Sequence, residues 1–529
     1  MAGEEKPSDQ TAPLGARRLG AVAMLLAASV LLSRVMGFIR EMVLAAQIGL
    51  GPSADAYYAA FQIPDLLNYL LAGGALAVAF TPLYLRTLRQ DGQEQAQELF
   101  KVVLGTLGFA VCGATALLWF YAEALVDLQF GAFDEKTREL TVTLTRIVLP
   151  GQIFFVAGGI VRAVLMAHGR FAAQAAAPLL YNGSIIVGGL VFQSVGGFAW
   201  GALVGAILGG WIFPVYDLRR VTRLGFRLAP LHPSFRLYLW GALPLMIGLS
   251  LTTVDEWYER FFGARLGVGV VAALAFARRM MMAPVAIVGQ AVATATLPSL
   301  SALHAEGRDR ELNGILLTTL RGTAVLALMA GGLVFTLAHP IIQLAYQRGA
   351  FDAADSERVS LLLTWMAWAV PGWVLQQVAI RAFFARNEMW RPMLLSTVLS
   401  LGALPVYFRL GDLWGAEGLV LAGVIAISLN AVLTLGWVRL RFGGPSLAPL
   451  VATVLRGFLI AGLASGLAHL VFQGGPGTYG ALLDGVSGFS VYAVTFLIGV
   501  RVLGDQEMRD TLSRLGSSLW RRVRRSPRA

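Results

Sequence analysis

The chain is nearly without cysteine. Its one copy, Cys112, allows no internal disulfide and no thiol-ligated metal cluster. Histidine is scarce too. The five copies (His168, His232, His304, His339 and His469) are scattered, and none has metal-ligand spacing. No G-x-x-x-x-G-K-S/T stretch occurs, which argues against ATP hydrolysis. No nucleophile–base constellation is visible either, so neither an enzyme activity nor a bound cofactor is expected. Charge is the third shortage. Only 14% of the 529 residues are Asp, Glu, Lys or Arg, against 57% apolar. That balance excludes an ordinary soluble protein of this length.

What is present is a succession of apolar stretches, each at least as long as the roughly 20 residues that cross a bilayer. The expected fold is an all-α polytopic membrane protein with fourteen transmembrane helices. Sixty glycines suit close helix packing in lipid. The first 16 residues are polar and do not read as a cleavable signal peptide. The net charge of +11 does not point to nucleic acid, because much of the excess sits at membrane edges. The stretch WRRVRRSPRA at the C-terminus alone holds five arginines. One set of loops carries Arg86, Arg89, Lys101, Arg170, Arg219, Arg220, Arg223, Arg227, Arg308 and Arg310, while the opposite set is poorer. Positive loops face the cytoplasm, so both termini are expected there.

The stretch GAFD occurs at 131–134 and again at 349–352. VLPG (148–151) follows the first copy and AVPG (369–372) the second, and Arg162-Ala163 matches Arg381-Ala382. Upstream, GGALAVAFTP (73–82) aligns with GQAVATATLP (289–298). Two copies of a six-helix bundle follow from this, in the same orientation because six is even. The expected organisation is an N-terminal tail (1–18), an N-lobe (19–235) and a C-lobe (236–445). Two added helices (446–503) and a basic tail (504–529) complete it. Parallel repeats rocking about a central cavity are an architecture of secondary transporters.

Ionisable groups at membrane depth are costly and mark function by default. The first span carries Arg34, Arg40 and Glu41 within SRVMGFIRE (33–41). Arg146, Arg162, Arg278, Arg279, Arg321 and Arg381 lie in later spans, and TTVDEWYERFFGAR (252–265) adds Asp255, Glu256, Glu259 and Arg260. Arg162, Arg260 and Arg381, near helix ends, are read as snorkelling. Arg34 and Arg279 lie too deep for that and are read as cavity-lining. Arginine grips phosphate bidentately, so the cavity would suit an anionic, phosphorylated substrate. The acidic group either binds a coupling cation or pairs with arginines, and pairing is the preferred reading.

The stretch SRVMGFIREMVLAAQIGLGPSADAYYAAFQIPDLL resembles the signature of the MurJ/MviN family of lipid II flippases. AFTPLY (79–84), FARRM (276–280), ATLPSLS (295–301), RGAFD (348–352) and SLNAVL (428–433) extend the resemblance over nearly the whole chain. It implies a multidrug/oligosaccharidyl-lipid/polysaccharide exporter fold in the bacterial plasma membrane. The implied cargo is the undecaprenyl-pyrophosphate-linked peptidoglycan precursor, moved from inner to outer leaflet, and cell-wall synthesis proteins are implied partners. By motif position, Arg34, Arg40 and Arg279 would surround the pyrophosphate, with Asp55 in the family's DAF position. Glu41, Asn68, Arg278 and Glu259 would line the cavity further, and residues 446–503 would form a groove for the lipid tail. Three departures stand out. Asn68 replaces an arginine, Gly73 a glutamate, and Arg278 an aspartate. LSTVLSLGALPVYF (395–408) lacks the Asn and Asp that some relatives offer to sodium, leaving sodium or the membrane potential as candidate drivers. A flippase for another polyprenyl-pyrophosphate-linked oligosaccharide is the runner-up, followed by a cation-coupled drug exporter and a scaffold.

Overall fold

The computed structural model describes residues 16–71, 75–250, 254–472 and 477–514. The tail before residue 16, Gly73 and the arginines from residue 515 onward lie outside them. No strand occurs among the described residues. The chain divides into two compact units, Met1–Thr253 and Val254–Ala529.

The first unit holds α1 (Ala16–Ile48), α2 (Pro52–Ala60), α3 (Gln62–Leu71), α4 (Ala75–Gln90), α5 (Gln93–Phe120) and α6 (Ala122–Phe130). It continues through α7 (Glu135–Val148), α8 (Gly151–Ala167), α9 (Ala172–Phe192), α10 (Val195–Gly205), a π-helical stretch (Ala206–Ile212), α11 (Phe213–Leu218) and α12 (Pro233–Ser250). The second unit holds α13 (Val254–Gly263), α14 (Val270–Pro284), a π-helical stretch (Val285–Gln290), α15 (Ala291–Ala305) and α16 (Asp309–Thr336). Then come α17 (Ala338–Tyr346), α18 (Ala353–Met366), α19 (Ala369–Ala379), α20 (Arg381–Phe384), α21 (Trp390–Phe442), α22 (Ala448–His469) and α23 (Gly477–Leu503). The sequence reading starts its second lobe at residue 236, whereas here α12 belongs to the first unit.

Ten helices among the described residues are long and apolar enough to cross a membrane, or eleven if the bent pair Ala353–Met366 and Ala369–Phe384 is one span. The expected fourteen segments fall largely on helices where they are described, and several cross from one helix to the next, as 140–167 does from α7 to α8 and 312–346 from α16 to α17. Residues 54–85 run through α2, α3 and α4, and 237–262 is divided between α12 and α13. Two more share α21, whose 53 residues contain a non-helical break at Gly415 (φ 61°). At about 1.5 Å per residue that helix is far too long for one crossing. The reversal is tight, since a Cβ on Gly418 would overlap the Leu410 carbonyl oxygen.

The repeat seen in the sequence has a physical basis. Helices α5, α6 and α7 span 28, 9 and 14 residues, and α16, α17 and α18 span 28, 9 and 14. The Asp of each GAFD is an N-cap. Asp134 accepts from the Thr137 N–H at 3.2 Å, and Asp352 from the Asp355 N–H at 2.8 Å. Each satisfies an orphan donor of the helix that follows. The aligned prolines Pro82 and Pro298 lie inside α4 and α15.

Glycine sets the packing of α9 on α10 and its π-helical continuation. Gly197, Gly201, Gly205 and Gly209 recur every four residues and present bare backbone to α9. A Cβ on Gly201 would lie 2.5 Å from the Ser184 carbonyl oxygen. In lipid, where burying apolar surface gains little, this close van der Waals contact drives association. Gly201→Ala is expected to destabilise the protein by about 1–3 kcal/mol through overpacking, read as a lower unfolding temperature in detergent.

In the second unit one carboxylate ties the last helices down. Asp505 pairs with Arg321 of α16 at 2.7 Å and Arg456 of α22 at 3.3 Å, and accepts from the Thr453 hydroxyl at 3.2 Å. Met508 is fully buried beside it. Arg321 is therefore structural. Burial pushes the Asp505 carboxyl up, but the Met508 N–H and Arg321 outweigh it, so the group sits below the usual carboxylate range. Its contribution is present above the unfolded value near about 4 and is lost as pH falls through the depressed folded value. Asp505→Asn should cost about 1–3 kcal/mol at pH 7 and nothing further at pH values below that transition. Unfolding temperatures across pH check both.

Candidate anion-handling residues and family

α1 presents its charges on two sides. Arg34 is exposed. Arg40 turns inward, where Nη1 donates to Asn182 Oδ1 of α9 at 3.1 Å and Nη2 to Glu41 Oε1 at 2.6 Å. The other Glu41 oxygen accepts from the Tyr58 hydroxyl of α2 at 2.5 Å. Glu41 is only 2% exposed, so the pair is a charge-neutral joint of α1, α2 and α9. Asn182 is held in turn, donating to the Pro178 carbonyl within α9 at 3.0 Å. Asp55 is also buried, in the first turn of α2, where a helix N-terminus favours a carboxylate. Asn68 is half-buried on α3.

In the second unit the doublet Arg278-Arg279 divides in the same way. Consecutive helical residues point about 100° apart. Arg278 faces α13 and grips Glu259 with two donors, Nε to Oε2 at 2.8 Å and Nη2 to Oε1. Glu259 is 5% exposed. Arg279 is exposed on the other side. Arg260 lies 3.7 Å from Glu256. The preferred pairing of the acidic group is thus present at Glu259 and Glu256. Asp255 Oδ1 and the Tyr407 hydroxyl are buried without a hydrogen-bond partner. Among the described residues no group of three or more His, Cys, Asp or Glu is placed to hold a metal ion.

An apolar trough lies in the second unit, lined in part by α22, which belongs to the stretch expected to hold the lipid tail. Leu328 and Phe335 of α16, Trp368, Pro371 of α19, and Phe458 and Gly462 of α22 line a cavity of ≈ 380 Å³. Trp368, Pro371 and Phe458 also line a second, of ≈ 260 Å³, with Leu375 of α19 and Val432 of α21. Trp368 and Phe458 stack at 5.8 Å between them.

The family described as lipid II flippase MurJ matches residues 44–483. A probable lipid II flippase MurJ of Bdellovibrio bacteriovorus is 29% identical over 458 residues, covering 83% of this chain and 86% of that one. A lipid II flippase MurJ of Burkholderia cenocepacia is 29% identical over 430 residues, covering 78% and 82%. The fold is similar to that of a solved lipid II flippase MurJ in an inward closed conformation. The TM-score is 0.76 at 20% identity, over 90% of this chain and 99% of that one. An inward-facing multidrug resistance transporter of the MATE family is next in kind, with a TM-score of 0.65 at 16% identity over 78% and 94%. The chain belongs to the MurJ lipid II flippase family, and is accordingly a bacterial inner-membrane transporter and not an enzyme.

Proposed function

We propose that this chain carries lipid II, the undecaprenyl-pyrophosphate-linked peptidoglycan precursor, from the inner to the outer leaflet by alternating access. The observation that carries the reading is the division of the arginines. Arg40 and Arg278 pair with buried carboxylates, and the arginines that keep exposed surface on the same helices are Arg34 and Arg279. A guanidinium displayed in a low-dielectric setting is suited to a diphosphate. Arg34 in the first unit and Arg279 in the second each offer one. Arg40 and Glu41 hold α1 against α2 and α9. Arg278 and Glu259 hold α13 on α14. Both termini are cytoplasmic in this reading. The membrane potential, negative inside, drives an anionic headgroup outward at about 2.3 kcal/mol per charge per 100 mV.

The polyprenyl tail lies in the apolar trough beside Trp368 and Phe458. A Cβ on Gly462 would meet nothing within 4 Å. Gly462→Leu should therefore fill the trough without straining the fold, and lower transport at least about tenfold while leaving the unfolding temperature unchanged. The reading as a whole is tested by expression in a bacterium depleted of its own lipid II flippase. Rescue of growth supports it. Failure with the protein confirmed in the membrane would instead favour another polyprenyl-pyrophosphate-linked cargo.

A further inference from the structure

Among the arginines that the sequence places inside spans, most have a carboxylate. Arg146 lies 3.8 Å from Glu123, Arg260 pairs with Glu256, Arg278 with Glu259 and Arg321 with Asp505. Arg162 has none. Its Nε donates to the neutral Gln174 amide at 3.2 Å, and its Nη1 is buried with no hydrogen-bond partner. Its repeat counterpart in the second unit, Arg381, likewise has a buried Nε without a partner.

Snorkelling does not explain Arg162. The residue stands just over a turn from the end of α8 at Ala167, yet its guanidinium folds the other way. Nη1 lies 3.2 Å from where a Gly158 Cβ would be, and Nη2 3.9 Å from that of Gly159. Helical side chains lean toward the N-terminus, so an arginine near a C-terminal end is carried inward along its own helix. Two bare glycines give it a bed. Gly158 is fixed independently by packing, since its Cβ would overlap the Gly210 carbonyl oxygen.

An unpaired, partly buried cation costs several kcal/mol unless an anion reaches it. The guanidinium keeps an accessible edge, because Arg162 is half-buried and Gln174 exposed. We propose that Arg162, oriented by Gln174, is a phosphate-binding position in the first unit, separate from Arg34 and Arg40. Gln174 engages Nε and Nη1 is buried, so Nη2 is the donor that a phosphate oxygen would meet, in a charge-assisted hydrogen bond. The phosphate comes from the diphosphate of a lipid-linked cargo or from a bilayer phospholipid. The former source rests on the function proposed above.

The test uses the purified full chain in a neutral detergent. Its unfolding temperature is followed during titration with inorganic pyrophosphate and, separately, with phosphatidylglycerol. Arg162→Met removes an unpaired charge, so the ligand-free protein should unfold at a higher temperature than wild type. The same substitution should raise the half-effective concentration of the true ligand at least tenfold. Arg162→Lys, which keeps the charge, should weaken it less. Dependence of the pyrophosphate titration on Arg162 assigns the position to a diphosphate. Dependence of the phosphatidylglycerol titration alone assigns it to bilayer lipid. Unchanged titrations in both variants overturn the proposal, and a fall in ligand-free stability beside them makes Arg162 a packing residue. Because no transport is measured, a chain that fails to rescue a flippase-depleted bacterium could still show the site.

Discussion

Arg34→Ala should abolish rescue of a flippase-depleted bacterium while the protein reaches the membrane at wild-type level. Arg34 is exposed on α1, and the Arg40–Glu41 and Tyr58–Glu41 hydrogen bonds that join α1 to α2 are expected to remain when it is replaced. Arg279→Ala should do the same from α14, where Arg278 keeps its hold on Glu259. The loss is expected to exceed a hundredfold in transport rate, since hydrogen bonds to charged groups contribute about 1.5–3 kcal/mol each and a diphosphate takes two per fork. Arg34→Lys should also fail, because an ammonium keeps the charge but not the planar fork. Quantitative blotting of membranes beside the growth assay separates this from misfolding. Retained growth in Arg34→Ala would remove Arg34 from the proposed contact.

Arg278→Ala should behave in the opposite way, with the fold failing first. It would leave Glu259 ionised, buried and alone, at a cost of about 3–5 kcal/mol. The double variant Arg278→Met with Glu259→Gln removes both charges and should recover most of that stability, because a buried pair and a neutral replacement are close in free energy. Unfolding temperatures of the two variants decide the matter. If the single variant is as stable as wild type, Glu259 is not held as the geometry indicates. The adjacent residues 278 and 279 thus predict two distinguishable failures, one of folding and one of transport.

The parts of this architecture that were legible in the sequence are the parts encoded locally. GAFD could be read as a repeat because an N-cap is a short-range device, and Asp134 and Asp352 both serve as one. The apolar stretches were legible because their length is set by the bilayer. The break at Gly415 was legible too, since Arg409, Asp412 and Glu417 interrupt the apolar run there and mark the end of one span at 410 and the start of the next at 417. Long-range pairings were not legible. Arg40 meets Asn182 across 142 residues, and nothing near either announces the other. Helical geometry alone says that Arg278 and Arg279 face apart, but only the position of α13 says which one faces Glu259. For Arg162, proximity to a helix end suggested an outward path, and the lean of the side chain decided against it.

The Asp505 contact also orders events in time. A chain is made from its N-terminus, at about 5–20 residues per second. Arg321 is therefore synthesised many seconds before the carboxylate that pairs with it. Throughout that interval α16 carries a cation with no native counter-charge, and it finds one only when α22 and α23 have been threaded and residue 505 emerges. Insertion of the second unit is left unfinished until that carboxylate is made, and a ribosome that stopped before Asp505 would release a bundle marked for quality control by its own unpaired arginine.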